Sequence, residues 1–83
     1  MTIGVQIMPR EVILDTQGRA IEQILKRNGQ EVSSCRVGRF VELDFSGQSS
    51  ITEAEALKKA DEMARFVLHN PLIETYEIRR LPA

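Results

Sequence analysis

Tryptophan is absent, histidine and cysteine occur once each, and Phe40, Phe45, Phe66 and Tyr76 are the only other aromatic side chains in 83 residues. One cysteine excludes an intrachain disulfide and any multi-cysteine metal cluster, a usage that fits an intracellular compartment. No sign of charge dominates either, since eleven Lys and Arg face twelve Asp and Glu for a net charge of -1. Without massed basic residues or interleaved aromatics, the electrostatic footprint and the stacking platform of a nucleic-acid binder are both missing. No apolar run approaches the roughly 20 residues that span a bilayer, and the chain does not open on a basic segment followed by an apolar core. The expectation is a cytoplasmic protein with neither nucleic acid nor membrane as a partner.

What is present suits one small folded unit. Hydrophobic residues make up 42% and charged residues 28%, with no low-complexity tract, so residues 1–83 are expected to form a single domain with a modest core. Ile3, Val5 and Ile7 alternate with Gly4, Gln6 and Met8, the period of a strand with one strongly apolar face, and Pro9 ends it because it lacks an N–H for the next ladder bond. A helix is predicted over Thr16 to Asn28. Asp15 is its N-cap, Gly18, Ile21, Ile24, Leu25 and Asn28 share a flank, and Asn28-Gly29 supplies the stop. Gly18 weakens that helix by about 1 kcal/mol relative to alanine, which points to a close backbone approach as its reason.

A second helix starts at Thr52, where Thr52 and Glu55 have capping-box spacing. Leu57, Ala60, Ala64, Val67 and Leu68 form its buried stripe, Pro71 stops it, and Leu72 to Arg79 reads as a last strand with Tyr76 and Ile78 on one face. The middle segment allows two readings. As one long strand, Cys35, Val37, Val41, Leu43 and Phe45 share a face interrupted by Arg39; as two strands turning at Gly38 and Arg39, the order becomes that of a ferredoxin-like sandwich. Both give an α+β fold, a two-layer, antiparallel-rich sheet covered on one side by two helices. In the long-strand reading Phe40 lies on the opposite face, and together with open sheet edges this predicts a homo-dimer or higher homo-oligomer.

The residues offer little catalytic chemistry. His69 has no serine or cysteine at meaningful spacing to activate, so helix termination is the stronger reading. Cys35 alternates with apolar residues and reads as a packed side chain. Glu53, Glu55, Asp61 and Glu62 are mixed with Lys58 and Lys59 as a solvated helix surface, and the glycines form no phosphate-binding loop. Arg36 and Arg39 fit a phosphate or partner carboxylate as well as they fit cross-strand pairing. No catalytic, cofactor-binding or metal-binding residues are therefore predicted. Asp15, Gly18, Asn70 and Pro71 are the more specific signal, two capping regions expected near each other at one end of the helical layer, where they would present a shaped docking surface.

Three stretches, "ILDTQGRAI", "CRVGRFVEL" and "NPLIETYEI", together resemble the PurS family, the small subunit of phosphoribosylformylglycinamidine synthase. The resemblance runs from the first strand to residue 79. Leu14, Asp15 and Gly18 match the family's first motif, with Thr16 in place of a proline; Val37, Gly38 and Arg39 match the second; Asn70, Pro71, Ile73 and Glu74 match the third, with His69 where a small residue is usual. The resemblance implies an assembly subunit of a glutamine-dependent, ATP-using carbon-nitrogen ligase in purine biosynthesis. Such a subunit bridges a PurL-type synthetase and a PurQ-type glutaminase, binds no cofactor and leaves ATP and magnesium to the large subunit. Leu14, Asp15, Gly18, Arg36, Gly38, Arg39, Asn70 and Pro71 become the candidate assembly contacts. The alternative is an ACT-like module that senses a small molecule at a subunit interface; an acylphosphatase-like enzyme is disfavoured because no phosphate-cradling loop with paired arginine and asparagine occurs.

Overall fold

A computed structural model describes residues 1–82. Strand β1 (Thr2–Pro9) is followed by helix α1 (Thr16–Arg27), strand β2 (Arg39–Asp44), helix α2 (Glu53–Met63), a π-helical turn (Ala64–Leu68) that prolongs α2, and strand β3 (Glu74–Arg80). The sheet is antiparallel with order β2-β1-β3, so the first strand lies in the centre. Its alternation explains why: Ile3, Val5 and Ile7 are almost completely excluded from solvent, and a strand paired on both sides is the one that can carry such a row. Val5 stands opposite Val41 on β2 and Ile78 on β3, which aligns the apolar faces of all three strands.

The helix α2 lies over this face with small residues turned inward. Ala56, Ala60 and Ala64 are fully buried, and Ile3, Phe45 and Ala60 belong to one cluster while Val5, Ile7 and Ala64 form another. Thr52 caps the helix by accepting from the Glu55 amide at 3.2 Å, and its hydroxyl meets the Glu55 carboxylate at 3.1 Å. The expected stripe is shifted at its end. At the π turn the His69 amide bonds back to Ala64, five residues earlier, and the extra residue rotates Val67 out into solvent, where it is 78% exposed.

Two expectations are corrected. The middle segment is neither a long ladder strand nor a hairpin, because only Arg39–Asp44 pairs with β1, and the sheet has three strands in place of the ferredoxin-like four. Residues 31–38 run outside the ladder. The first helix also does not cover the sheet: in α1 only Gly18 is buried, while Ile21 and Ile24 remain 41% and 52% exposed. The α+β class and the two helices stand, but α2 alone forms the second layer. Helix α1 and its return segment make an arm, and the chain measures 51 × 29 × 15 Å with a radius of gyration of 16.1 Å, against about 12 Å for a compact chain of this length.

Candidate functional site

One end of the sheet gathers all three sequence motifs. The Asp15 carboxylate is the hub of the first two. One oxygen accepts from the Gly18 amide at 2.8 Å as the N-cap of α1, and the other accepts from the Val37 amide at 2.7 Å, 22 residues later. These two amides, with a smaller contribution from the Arg36 guanidinium, hold the Asp15 carboxyl below its ordinary range, so it is ionised at neutral pH. Gly18 permits the junction because a Cβ there would collide with the Cys35 carbonyl and the Asp15 carboxylate. The backbone approach suspected from sequence is therefore real.

Gly38 serves the same purpose at the entry to β2. A side chain would strike the carbonyl of Ile7 and the sulfur of Met8, so this strand reaches its register only with glycine. Beside it, the Arg36 guanidinium donates to the Pro9 carbonyl. Arg39 crosses the central strand and donates to both oxygens of Glu74 on β3 at 2.9 Å and to the Leu68 carbonyl at 3.0 Å. It thereby ties β2, the π turn and β3 together. An exposed pair of this kind contributes at most about 1 kcal/mol, so its value is positional.

The third motif joins through Glu74. Its carboxylate also accepts from the Asn70 amide at 2.8 Å, while the Asn70 side chain accepts from Leu72 at 3.0 Å and its carbonyl from Glu74 at 2.8 Å. Arg10 was not singled out from sequence, yet it stitches the loop after β1 to this turn. Its side chain donates twice to the Pro71 carbonyl, at 3.0 and 2.8 Å, and its amide donates to Ile73 at 2.8 Å. Its only sequence signal is its place directly after Pro9, where a chain leaving a central strand needs new partners.

Leu14, Asp15, Gly38, Arg39 and Glu74 line a cleft of about 370 Å³, and Arg36 lines a neighbouring one of about 550 Å³ that also includes Leu14 and Asp15. All eight predicted contact residues thus fall at one end of the sheet, where the α1 arm begins. Their polar groups are occupied in holding backbone segments, and Leu14, Val12 and Leu72 project from the surrounding loops at 64%, 90% and 82% exposure. Such an arrangement offers a shaped surface. His69 lies nearby but is engaged, with its ring Nδ1 donating to the Ala64 carbonyl at 2.6 Å and its ring edge-on to Tyr76. Among the described residues no group of three or more His, Cys, Asp or Glu could hold a metal ion, and no helix is long and apolar enough to cross a membrane.

Comparison with known proteins extends this geometry. Residues 2–81 match the profile of the family described as PurS, phosphoribosylformylglycinamidine (FGAM) synthase. The phosphoribosylformylglycinamidine synthase subunit PurS of Thermotoga maritima is 31% identical over 79 residues, covering 94% of this chain and 93% of that protein. The structure of Thermus thermophilus PurS superposes with a TM-score of 0.80 at 34% identity, covering 98% of this chain and 96% of that one. A chain in the structure of PurLQS from Thermotoga maritima superposes with a TM-score of 0.84 at 25% identity, with 96% and 95% covered.

Proposed function

The chain belongs to the PurS family, and from that premise we propose that it is the non-catalytic assembly subunit of phosphoribosylformylglycinamidine synthase in purine biosynthesis. It associates with a PurL-type synthetase and a PurQ-type glutaminase, as the relative found in the PurLQS structure does. The observation that carries this reading is the convergence of the three motif segments on one cleft-bearing end of the sheet, where their polar groups tie backbone segments together.

The reaction explains the need for such a chain. The glutaminase releases ammonia, and the synthetase uses ATP to activate the amide of formylglycinamide ribonucleotide; ammonia then displaces phosphate to give formylglycinamidine ribonucleotide. Between the two sites ammonia must neither escape nor become protonated, so their relative placement controls flux even when the placing subunit supplies no acid, base or nucleophile. On this reading residues 1–83 act as one domain, Asp15, Gly18, Gly38 and Arg39 shape the contact surface, and Leu14, Arg36, Asn70 and Pro71 present it. The chain itself binds no cofactor; ATP and magnesium belong to the large subunit. It works in the cytoplasm and as a homo-oligomer, so that one assembly offers its partners repeated surfaces.

The test is glutamine-dependent formation of formylglycinamidine ribonucleotide by the synthetase and glutaminase, with and without this chain under dilute conditions. Strong dependence on the chain is expected. Equal rates in its absence would refute the assembly role.

A further inference from the structure

Two loops at the motif end of the sheet carry aliphatic side chains that their own fold does not use. The loop after β1 closes on itself where the Ile13 amide donates to the Arg10 carbonyl at 2.9 Å, and Arg10 fastens it to the turn before β3 through the carbonyls of Pro71 and Ile73. Val12 and Leu72 therefore stand on adjoining tips, both almost fully exposed, with Leu14 two residues along. Aliphatic groups left in water recover burial energy on contact, and a grouped set of them marks an interaction surface.

The same loop walls the larger cleft, of about 550 Å³, and there the surplus is cationic. Arg10, Arg19 and Arg36 all line it. Arg10 and Arg36 spend only part of their N–H donors on backbone carbonyls, and Arg19, in the first turn of α1, has no side-chain partner among the described residues. The lining carboxylates are committed differently. Both oxygens of Asp15 are filled by amides, Glu22 faces Lys26 at 4.0 Å, and Glu11 alone is unengaged among the described residues. The hydrogen-bonding capacity left in the side chains of the cleft is therefore mostly guanidinium N–H, a donor set whose planar fork matches a carboxylate.

We propose that this cleft and its aliphatic lip bind an acidic segment of a partner enzyme, with a carboxylate meeting Arg19 and Arg36 and a neighbouring apolar side chain packing on Val12 and Leu72. The proposal rests on the assembly role and names what the partner must bring. A protein segment fits better than a free anion on two counts. A small ion leaves Val12, Leu14 and Leu72 in water, and a doubly charged phosphate meets Glu11 and Glu22 in the same cleft. A single carboxylate carries less charge past them, and its own chain supplies the apolar cover.

Arg19→Glu and Val12→Asp test the two halves of the surface separately, each at an exposed side chain, with circular dichroism to verify folding and sedimentation to read the chain's own association. The readout is the chain concentration that gives half-maximal glutamine-dependent formation of formylglycinamidine ribonucleotide by the synthetase and glutaminase. Each variant should raise that concentration by at least about tenfold, yet reach the wild-type rate in excess. The wild-type value should rise with sodium chloride, and more steeply than that of Arg19→Glu, because the pair being screened is absent from the variant. Lys58→Glu, the same reversal on α2 outside the cleft, should leave it unchanged. Activity that does not depend on the wild-type chain refutes the assembly role and this surface with it. With that dependence intact, unchanged values in both variants overturn the docking surface alone, and a change in only one of them overturns the combined acidic and apolar occupant. A variant that sediments as a smaller species than the wild type places a second copy in the cleft, and inorganic phosphate that raises the wild-type value beyond the effect of equal ionic strength makes it a small-anion site. Either result overturns the proposal.

Discussion

At the scale of single residues, Asp15 joins two distant segments through one carboxylate. Its two carboxylate oxygens accept from two amides belonging to different segments, Gly18 and Val37. An asparagine offers one acceptor oxygen and turns an NH2 group toward the other donor. Asp15→Asn should therefore leave the sheet folded but speed hydrogen exchange at the Gly18 or Val37 amide, measured by NMR, while Val5 stays protected. The pH dependence follows from the same contacts. A carboxylate whose folded pKa is depressed contributes stability above its unfolded pKa and loses it as pH falls through the folded value. Asp15, lowered by the Gly18 and Val37 amides, and Asp44, lowered by the Ser46 amide and hydroxyl, both have this sign. Thermal stability should be nearly flat in these two groups from about pH 5 to 7 and fall below about pH 4, and Asp15→Asn should flatten the acid limb. Gly38→Val should lower stability by about 1–3 kcal/mol in chemical denaturation, because the new side chain must displace the Ile7 carbonyl or Met8. Asp15 and Gly18 were legible in the sequence because caps and helical glycines have local causes. Arg10 was not, since its partners lie 61 residues away and depend on the fold.

At the scale of elements, α2 was read well and α1 only in part. Alanine at 60 and 64 announced close packing, and both are fully buried, with Ala56 completing the row. Ala60→Leu should cost about 1–3 kcal/mol in urea unfolding, because the helix must lift from Ile3 and Phe45 to admit the larger side chain. The π turn escaped the sequence because one inserted helical residue leaves no compositional mark, and it is what turns Val67 outward. The periodicity of α1 identified its apolar stripe correctly but carries no information about what covers a stripe. Placing it on its own sheet was the natural inference from periodicity alone. The middle segment failed for a related reason: alternation over Cys35 to Phe45 marks extended backbone, whereas ladder bonds need a neighbour, and pairing with β1 begins only at Arg39, opposite Ile7.

For the whole molecule, an assembly role makes activity a matter of occupancy. If Asp15→Asn loosens the end that carries the motifs, synthetase activity should fall at low subunit concentration and return to the wild-type rate when the chain is added in excess; a lowered rate at saturation would instead mean a part in the chemistry. The order of the sheet has a further consequence, for synthesis. The strand with the most apolar face sits in the centre, yet it precedes both of its neighbours in the chain. As the polypeptide leaves the ribosome, Ile3, Val5 and Ile7 must wait for β2, which begins at Arg39, and then for β3, which begins only at Glu74. Until then the future core is an unpaired, aggregation-prone strand, guarded only by Pro9 and Arg10 at its end. Such a chain closes its sheet late and all at once, so conditions that slow elongation should expose it to chaperones for longer.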